Sequence, residues 1–164
     1  PAFAPLGIWR PLVVVVGLTT MIAGGVRALR PWDLKQLLAF GTISQLGFLM
    51  VLFGLGRPEA TVAGCALLLA HALFKAALFM VVGIVDHGLH TRDIRALPEL
   101  GSAWSPTRVV AVVSAASMAA VPPLAGFIAK ETAYGALVEG TTADRVVLAG
   151  IVAGSVLTVA YSLF

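Results

Sequence analysis

Charge is scarce in this sequence. Asp, Glu, Lys and Arg make up 12% of its 164 residues, while 59% are hydrophobic; soluble domains carry roughly 25% charged residues. With a mean hydropathy of +0.98, the composition is that of an integral membrane protein. The net charge of +3 does not point to nucleic acid, because the basic residues are divided between loops and span interiors, form no stripe and have few aromatics between them. Cysteine is limited to Cys65, which excludes an intrachain disulfide; its apolar surroundings predict a small core residue. The three histidines, His71, His87 and His90, lack metal-ligand spacing. No glycine-rich phosphate loop follows a strand, and no Ser/His/Asp order stands out, so neither a cofactor nor a bond-breaking active site is expected. No internal repeat or low-complexity tract is seen, and no signal peptide is expected in this stretch. The chain opens on Pro1-Ala2-Phe3 without Met and closes inside an apolar run at Phe164, which reads as a fragment of a longer polytopic protein.

What the sequence has is long apolar runs. The central one, Ala60 to Asp86, exceeds what a helix rising ~1.5 Å per residue needs to cross a ~30 Å hydrocarbon core. Pro11–Leu29 precedes it, with Gly24-Gly25 as a close-packing surface, and so does Leu34–Leu55. Pro31 stops the first helix and Asp33 is placed to cap the second. Gly56-Arg57-Pro58-Glu59 reads as a tight turn, and residues 87–106 as the longest polar loop. The segment 107–138 has 32 residues, too few for two spans and a turn, which need ~40. Pro122-Pro123 at its centre predicts one span, broken near Val121–Gly126. Irregular backbone at membrane depth persists only against protein or a water-filled cavity. A turn at Gly140–Asp144 leads into a last span, 145–164. The expected fold is all-α: one transmembrane domain over 1–164, a polytopic bundle of five spans (11–29, 34–55, 60–86, 107–138 and 145–164), one of them proline-interrupted. Arg27, Arg30, Lys35, Arg92, Arg95 and Arg108 fall on one side, predicted cytoplasmic; Arg10, Arg57 and Arg145 fall on the other.

The chemistry-bearing residues lie inside these spans. His71 and Lys75 are four apart and so share a helical face. Lys130 and Glu131 follow the expected break. An ionisable group at mid-membrane costs roughly 2.5–3.5 kcal/mol on insertion scales and is tolerated against a cavity or a partner. Burial disfavours a lysine's charged form and a nearby carboxylate restores it, so Lys75 and Lys130 can load and release protons. Histidine relays protons around neutral pH. Thr42, Ser44 and Gln45 could order water between such groups, although helix–helix glue is the commoner use of such residues. The blander alternatives are a structural ion pair for Lys75, a satisfied core histidine at 71 and a Lys130 that snorkels to the interface. Asp86 and His87, at a span end, suit loop anchoring.

Three stretches resemble a known family. DLKQLLAFGTISQLGF (33–48), HALFKAALFMVVG (71–83) and PPLAGFIAKE (122–131) are similar to the antiporter-like membrane subunits of respiratory complex I and its relatives. GIVDH (83–87) with TRDIRAL (91–97) most resembles the large A-type member of Mrp multisubunit cation/proton antiporters. The chain departs from that pattern at Leu89-His90, at Phe40-Gly41-Thr42 and at Ala129, where the family has Thr-Gly, Tyr-Ser-Thr and a frequent serine. The resemblance implies that His71 and Lys75 belong to the central proton-relay helix. It makes Lys130 the ionisable residue of the broken helix, Glu131 its acidic neighbour, and Asp86, Thr91, Arg92 and Asp93 the cytoplasmic connector. It makes the fragment the second transport repeat and the helix after it, with the glutamate–lysine pair of the first repeat outside this sequence.

The expected function is therefore a proton-translocating subunit of a Na+/H+ antiporter: a secondary transporter rather than an enzyme, in a prokaryotic cell membrane, with other membrane subunits, the bilayer, H+ and Na+ as partners. One alternative is a proton-pumping subunit of a redox-driven NADH:quinone oxidoreductase. Another, of a different class, is a non-conducting membrane scaffold.

Overall fold

A computed structural model describes residues 7–138 and 140–163. Its elements are all helical: α1 (Trp9–Ala28), α2 (Leu34–Gly54), α3 (Pro58–Leu89), α4 (Ser105–Met118), α5 (Ala125–Val138) and α6 (Thr142–Ser162), with 3-10 turns at Ile94–Ala96 and Ser102–Trp104. Among the described residues, four helices, α1, α2, α3 and α6, are long and apolar enough to cross a membrane.

The expected count of five spans is corrected here. The segment predicted as one interrupted span is two 14-residue helices, α4 and α5. Each is ~21 Å long at ~1.5 Å per residue and cannot cross alone. The break covers 119–124, slightly earlier than expected. Ala120 takes a left-handed φ of 64° and Pro122-Pro123 is cis. Gly126 is needed where the halves meet: a Cβ there would run into the Ser117 carbonyl. The Gly126 amide donates to Ser117 Oγ at 3.3 Å, a second tie across the same contact.

The helix ends follow local chemistry. Asp33 caps α2, its carboxylate accepting from Gln36 N at 3.0 Å, as the sequence predicts. Pro58 opens α3, where its missing N–H costs nothing. His90, at φ 52°, closes α3. Thr141 and Asp144 form a capping box at the start of α6, so Asp144 belongs to the helix rather than to a turn.

The helices pack through small residues. A Cβ on Gly17 would lie 2.9 Å from the Gly47 carbonyl, and one on Gly24 would lie 2.6 Å from Ser44 N, so α1 and α2 touch backbone to backbone. Gly25 faces Leu157 of α6, which gives the expected Gly24-Gly25 surface a neighbour on each side. α3 packs on α2, α4 and α5, and α6 on α1, α2, α4 and α5. Cys65 is exposed, which corrects its expected core position: in a bilayer an apolar neighbourhood can face lipid as readily as protein. Two ends of the bundle are defined by polar clasps. Arg57 at the start of α3 meets Asp144 of α6 at 2.7 Å; Asp33, Asp86 and Arg92 meet at the opposite ends of α2 and α3.

Candidate functional site: buried lysines and their cavities

Lys75 projects from the middle of α3 and is 4% exposed. Its ammonium donates to the Leu38 carbonyl of α2 at 2.9 Å. That carbonyl also accepts the Thr42 hydroxyl at 2.9 Å. Gly41 makes room for the contact, since a Cβ there would lie 2.9 Å from Lys75 Nζ. On the far side the ammonium sits 6.0 Å from the centre of the Tyr161 ring of α6, at the outer limit for attraction to an aromatic face. One turn before it, His71 is buried, stands edge-on to Phe74 at 5.3 Å and leaves Nδ1 with no hydrogen-bond partner among the described residues.

Lys130 is on α5, just past the break, and 3% exposed. Its ammonium donates to the Met118 carbonyl at the end of α4, at 3.3 Å. The last carbonyls of a helix lack intrahelical partners and carry the negative end of its dipole, so the break itself supplies the acceptor. Among the described residues neither lysine has an ion pair; the four present join Arg57–Asp144, Arg92–Asp33, Arg92–Asp86 and Arg95–Asp93. Glu131 is exposed on α5 and lines, with Lys130, Ala120, Phe127, Tyr134 and Gly135, a cavity of about 400 Å³.

Thr42, Ser44 and Gln45 of α2 direct their donors to helix partners. Ser44 donates to the Met21 carbonyl of α1 at 2.8 Å, Gln45 to Thr158 of α6 at 3.0 Å, and Thr42 within its own helix. Gln45 Oε1 is left without a partner among the described residues.

In the connector, Asp33 and Asp93 form an isolated antiparallel bridge, with Leu34 N donating to the Arg92 carbonyl at 3.1 Å and Ile94 N to the Trp32 carbonyl at 2.9 Å. Arg92 reaches Asp33 at 3.2 Å and Asp86 at 3.5 Å. Thr91 Oγ1 accepts from Asp93 N at 3.2 Å. Asp93 accepts from Arg95, at 2.7 Å for the closest pair, and these bonds hold its carboxyl at about 2, below the usual carboxylate range.

Sequence reasoning missed the polar face of α6. Thr158 accepts from Gln45 and donates to the Gly154 carbonyl at 3.0 Å. Tyr161 donates to Thr158 at 3.3 Å and approaches the Gly41 carbonyl at 3.5 Å. The signal was present as Gly154, Ser155, Thr158 and Tyr161, which fall on one helical face. Tyr134 of α5 and the Arg57–Asp144 pair were missed as well.

Four membrane-length helices, a broken segment and two lysines buried against helix carbonyls define the class: a polytopic helical membrane protein. A family model, "NADH:quinone oxidoreductase/Mrp antiporter, TM", matches residues 2–158, and the chain belongs to that family of membrane proteins. It is 45% identical over 139 residues to a probable K(+)/H(+) antiporter A/B subunit of Rhizobium meliloti, covering 85% of this chain and 14% of that protein. It is 40% identical over 155 residues to the A-type subunit of the Na(+)/H(+) antiporter of Alkalihalophilus pseudofirmus, covering 86% and 19%. Among solved structures, a chain of the Mrp complex from Dietzia sp. DQ12-45-1b matches with a TM-score of 0.88 and 43% identity over 95% of this chain and 18% of that one. The chain thus spans about a fifth or less of the length of these relatives.

Proposed function

We propose that this chain is part of the large A-type subunit of a multisubunit cation/proton antiporter in a bacterial plasma membrane, and that residues 9–162 are its second transport repeat and the helix after it. Protons pass along His71 and Lys75 of α3 and Lys130 of α5, with Glu131 at the margin of the Lys130 cavity. Their movement is coupled to exchange of Na+ by other membrane subunits of the complex. The connector residues Asp86, Arg92 and Asp93 fix the end of α3 against α2.

The observation that carries this reading is the way the two buried ammonium groups are held. Each rests on a backbone carbonyl, Leu38 or Met118, rather than on a carboxylate. A carboxylate partner would lock a lysine in its charged form; a carbonyl lets it give up its proton without stranding an opposite charge. The names of the curated relatives favour antiport over a redox-driven complex, since they are antiporter subunits. The scaffold alternative assigns no use to two buried lysines.

The test is exchange by the full-length subunit within its assembled complex, measured in everted vesicles. Lys75→Ala and Lys130→Ala should each lower Na+-driven proton movement by about a hundredfold, the scale of one lost proton-transfer group, with the complex present at normal amount. Undiminished exchange in both variants would remove the proposal; loss of assembly instead of flux would favour the scaffold.

A further inference from the structure

Lys130 has three N–H donors and, among the described residues, one protein acceptor, the Met118 carbonyl. Beside it lies a second cavity, of about 160 Å³, between the break, α5 and α6, lined by Ala119, Ala120, Lys130, Tyr134, Ser155 and valines of α6. Ser155 is 7% exposed and its hydroxyl has no hydrogen-bond partner among the described residues. Thr42, Thr132, Thr158 and Ser162 each satisfy their hydroxyls on the carbonyl four residues back, which Ser155 does not do. Tyr134 comes close enough to interact with Ser155, without hydrogen-bond geometry between them at Oγ. A buried hydroxyl left unpaired costs about 1–3 kcal/mol. The pocket is open on the side of the exposed Val152, Val156 and Val159, so it is its polar lining, Lys130, Ser155 and Tyr134, that would hold a water there.

We infer that this cavity is the hydration site of Lys130 and that Ser155 is the residue that positions its water. The inference rests on the proton-relay reading of Lys130 and extends it to α6. A water in the cavity accepts an N–H of the Lys130 ammonium and donates to Ser155 Oγ, with Tyr134 able to complete its shell. When Lys130 deprotonates, its N–H bond breaks and the amine keeps the electron pair, while this water takes the proton and releases one of its own to the next water in the pocket; the reverse transfer reloads the lysine. The branch runs toward α6, whereas Glu131 lines the separate, larger cavity.

Ser155→Thr and Ser155→Val test this in the assembled complex, because the two side chains have nearly the same shape and differ by the hydroxyl. The expected result is near-normal exchange for S155T and about tenfold slower turnover for S155V, the scale of one lost hydrogen bond, with the KM for Na+ unchanged and assembly normal in both. Equal activity of the two variants, whether both fast or both slow, would overturn the inference. Lys130→Ala is measured alongside: if it exchanges at the wild-type rate, the relay reading itself fails, whatever the variants at 155 show.

Discussion

Gly41→Ala is the smallest change that reaches the Lys75 site. Its added Cβ would lie 2.9 Å from Lys75 Nζ and 3.0 Å from Cε2 of Tyr161. Comfortable heavy-atom separations begin near ~3.5 Å, so the ammonium must retreat by roughly half an ångström. Its hydrogen bond to the Leu38 carbonyl starts at 2.9 Å and would then pass the ~3.2 Å limit of a good N–H···O bond. Hydrogen bonds to charged groups contribute about 1.5–3 kcal/mol, which corresponds to roughly a 10- to 100-fold fall in exchange if the lysine works from that position. The helix itself gains, because alanine is favoured over glycine inside a helix by about 1 kcal/mol. Reduced exchange with undiminished complex is therefore the signature. Gly83→Ala, on the same helix as Lys75 and with nothing within 4 Å of the added Cβ, is the control and should exchange normally. Everted vesicles with quantified complex supply the assay. Wild-type exchange by assembled G41A would refute the idea that Lys75 acts from the Leu38 carbonyl.

Two further outcomes follow from the clasps. Arg57→Ala removes a partly buried ion pair and should lower the stability of the complex by about 1 kcal/mol, whereas Asp144→Ala also removes the capping-box acceptor of Thr141 and should cost about 1 kcal/mol more; thermal melting of the solubilised complex gives the order, and equal losses would contradict it. In the connector, the Asp93 carboxyl is held at about 2 by Arg95. A depressed carboxylate contributes stability that is complete above its ordinary value, ~4, and is lost as pH falls toward 2. Amide exchange at Leu34 and Ile94, corrected for intrinsic rates, should therefore show the same protection at pH 5 and pH 8.

Much of this arrangement is visible in the sequence, and what is not has physical causes. Asp33 and Pro31 mark helix ends through local chemistry, and the structure puts the ends where they point; Pro58, read as part of a turn, instead opens α3. Pro122-Pro123 announces the break because a helix cannot absorb two prolines. The count of five spans exceeds the four membrane-length helices because the interrupted one, 107–138, is built of two 14-residue halves, neither of which crosses alone. Cys65 is misread because apolarity separates inside from outside in water but not in lipid. The burial of Lys75 and Lys130 is readable, since ionisable groups in such runs need shelter. Their acceptors are not: Leu38 lies 37 residues from Lys75, and a backbone carbonyl has no sequence signature. The Gln45–Thr158 contact bridges 113 residues; only the polar face of α6 could have hinted at it.

The shared Arg92 has a mechanical consequence. It grips Asp86 near the end of α3 and Asp33 at the start of α2, and the Asp33–Asp93 bridge sews the intervening strand of chain to the same spot. Sliding α3 along its axis by a single residue would shift this knot by ~1.5 Å, enough to part contacts that begin at 3.2 and 3.5 Å. The knot therefore opposes a piston stroke of the helix that carries Lys75, with the ~0–1 kcal/mol of each exposed ion pair added to the backbone bonds of the bridge.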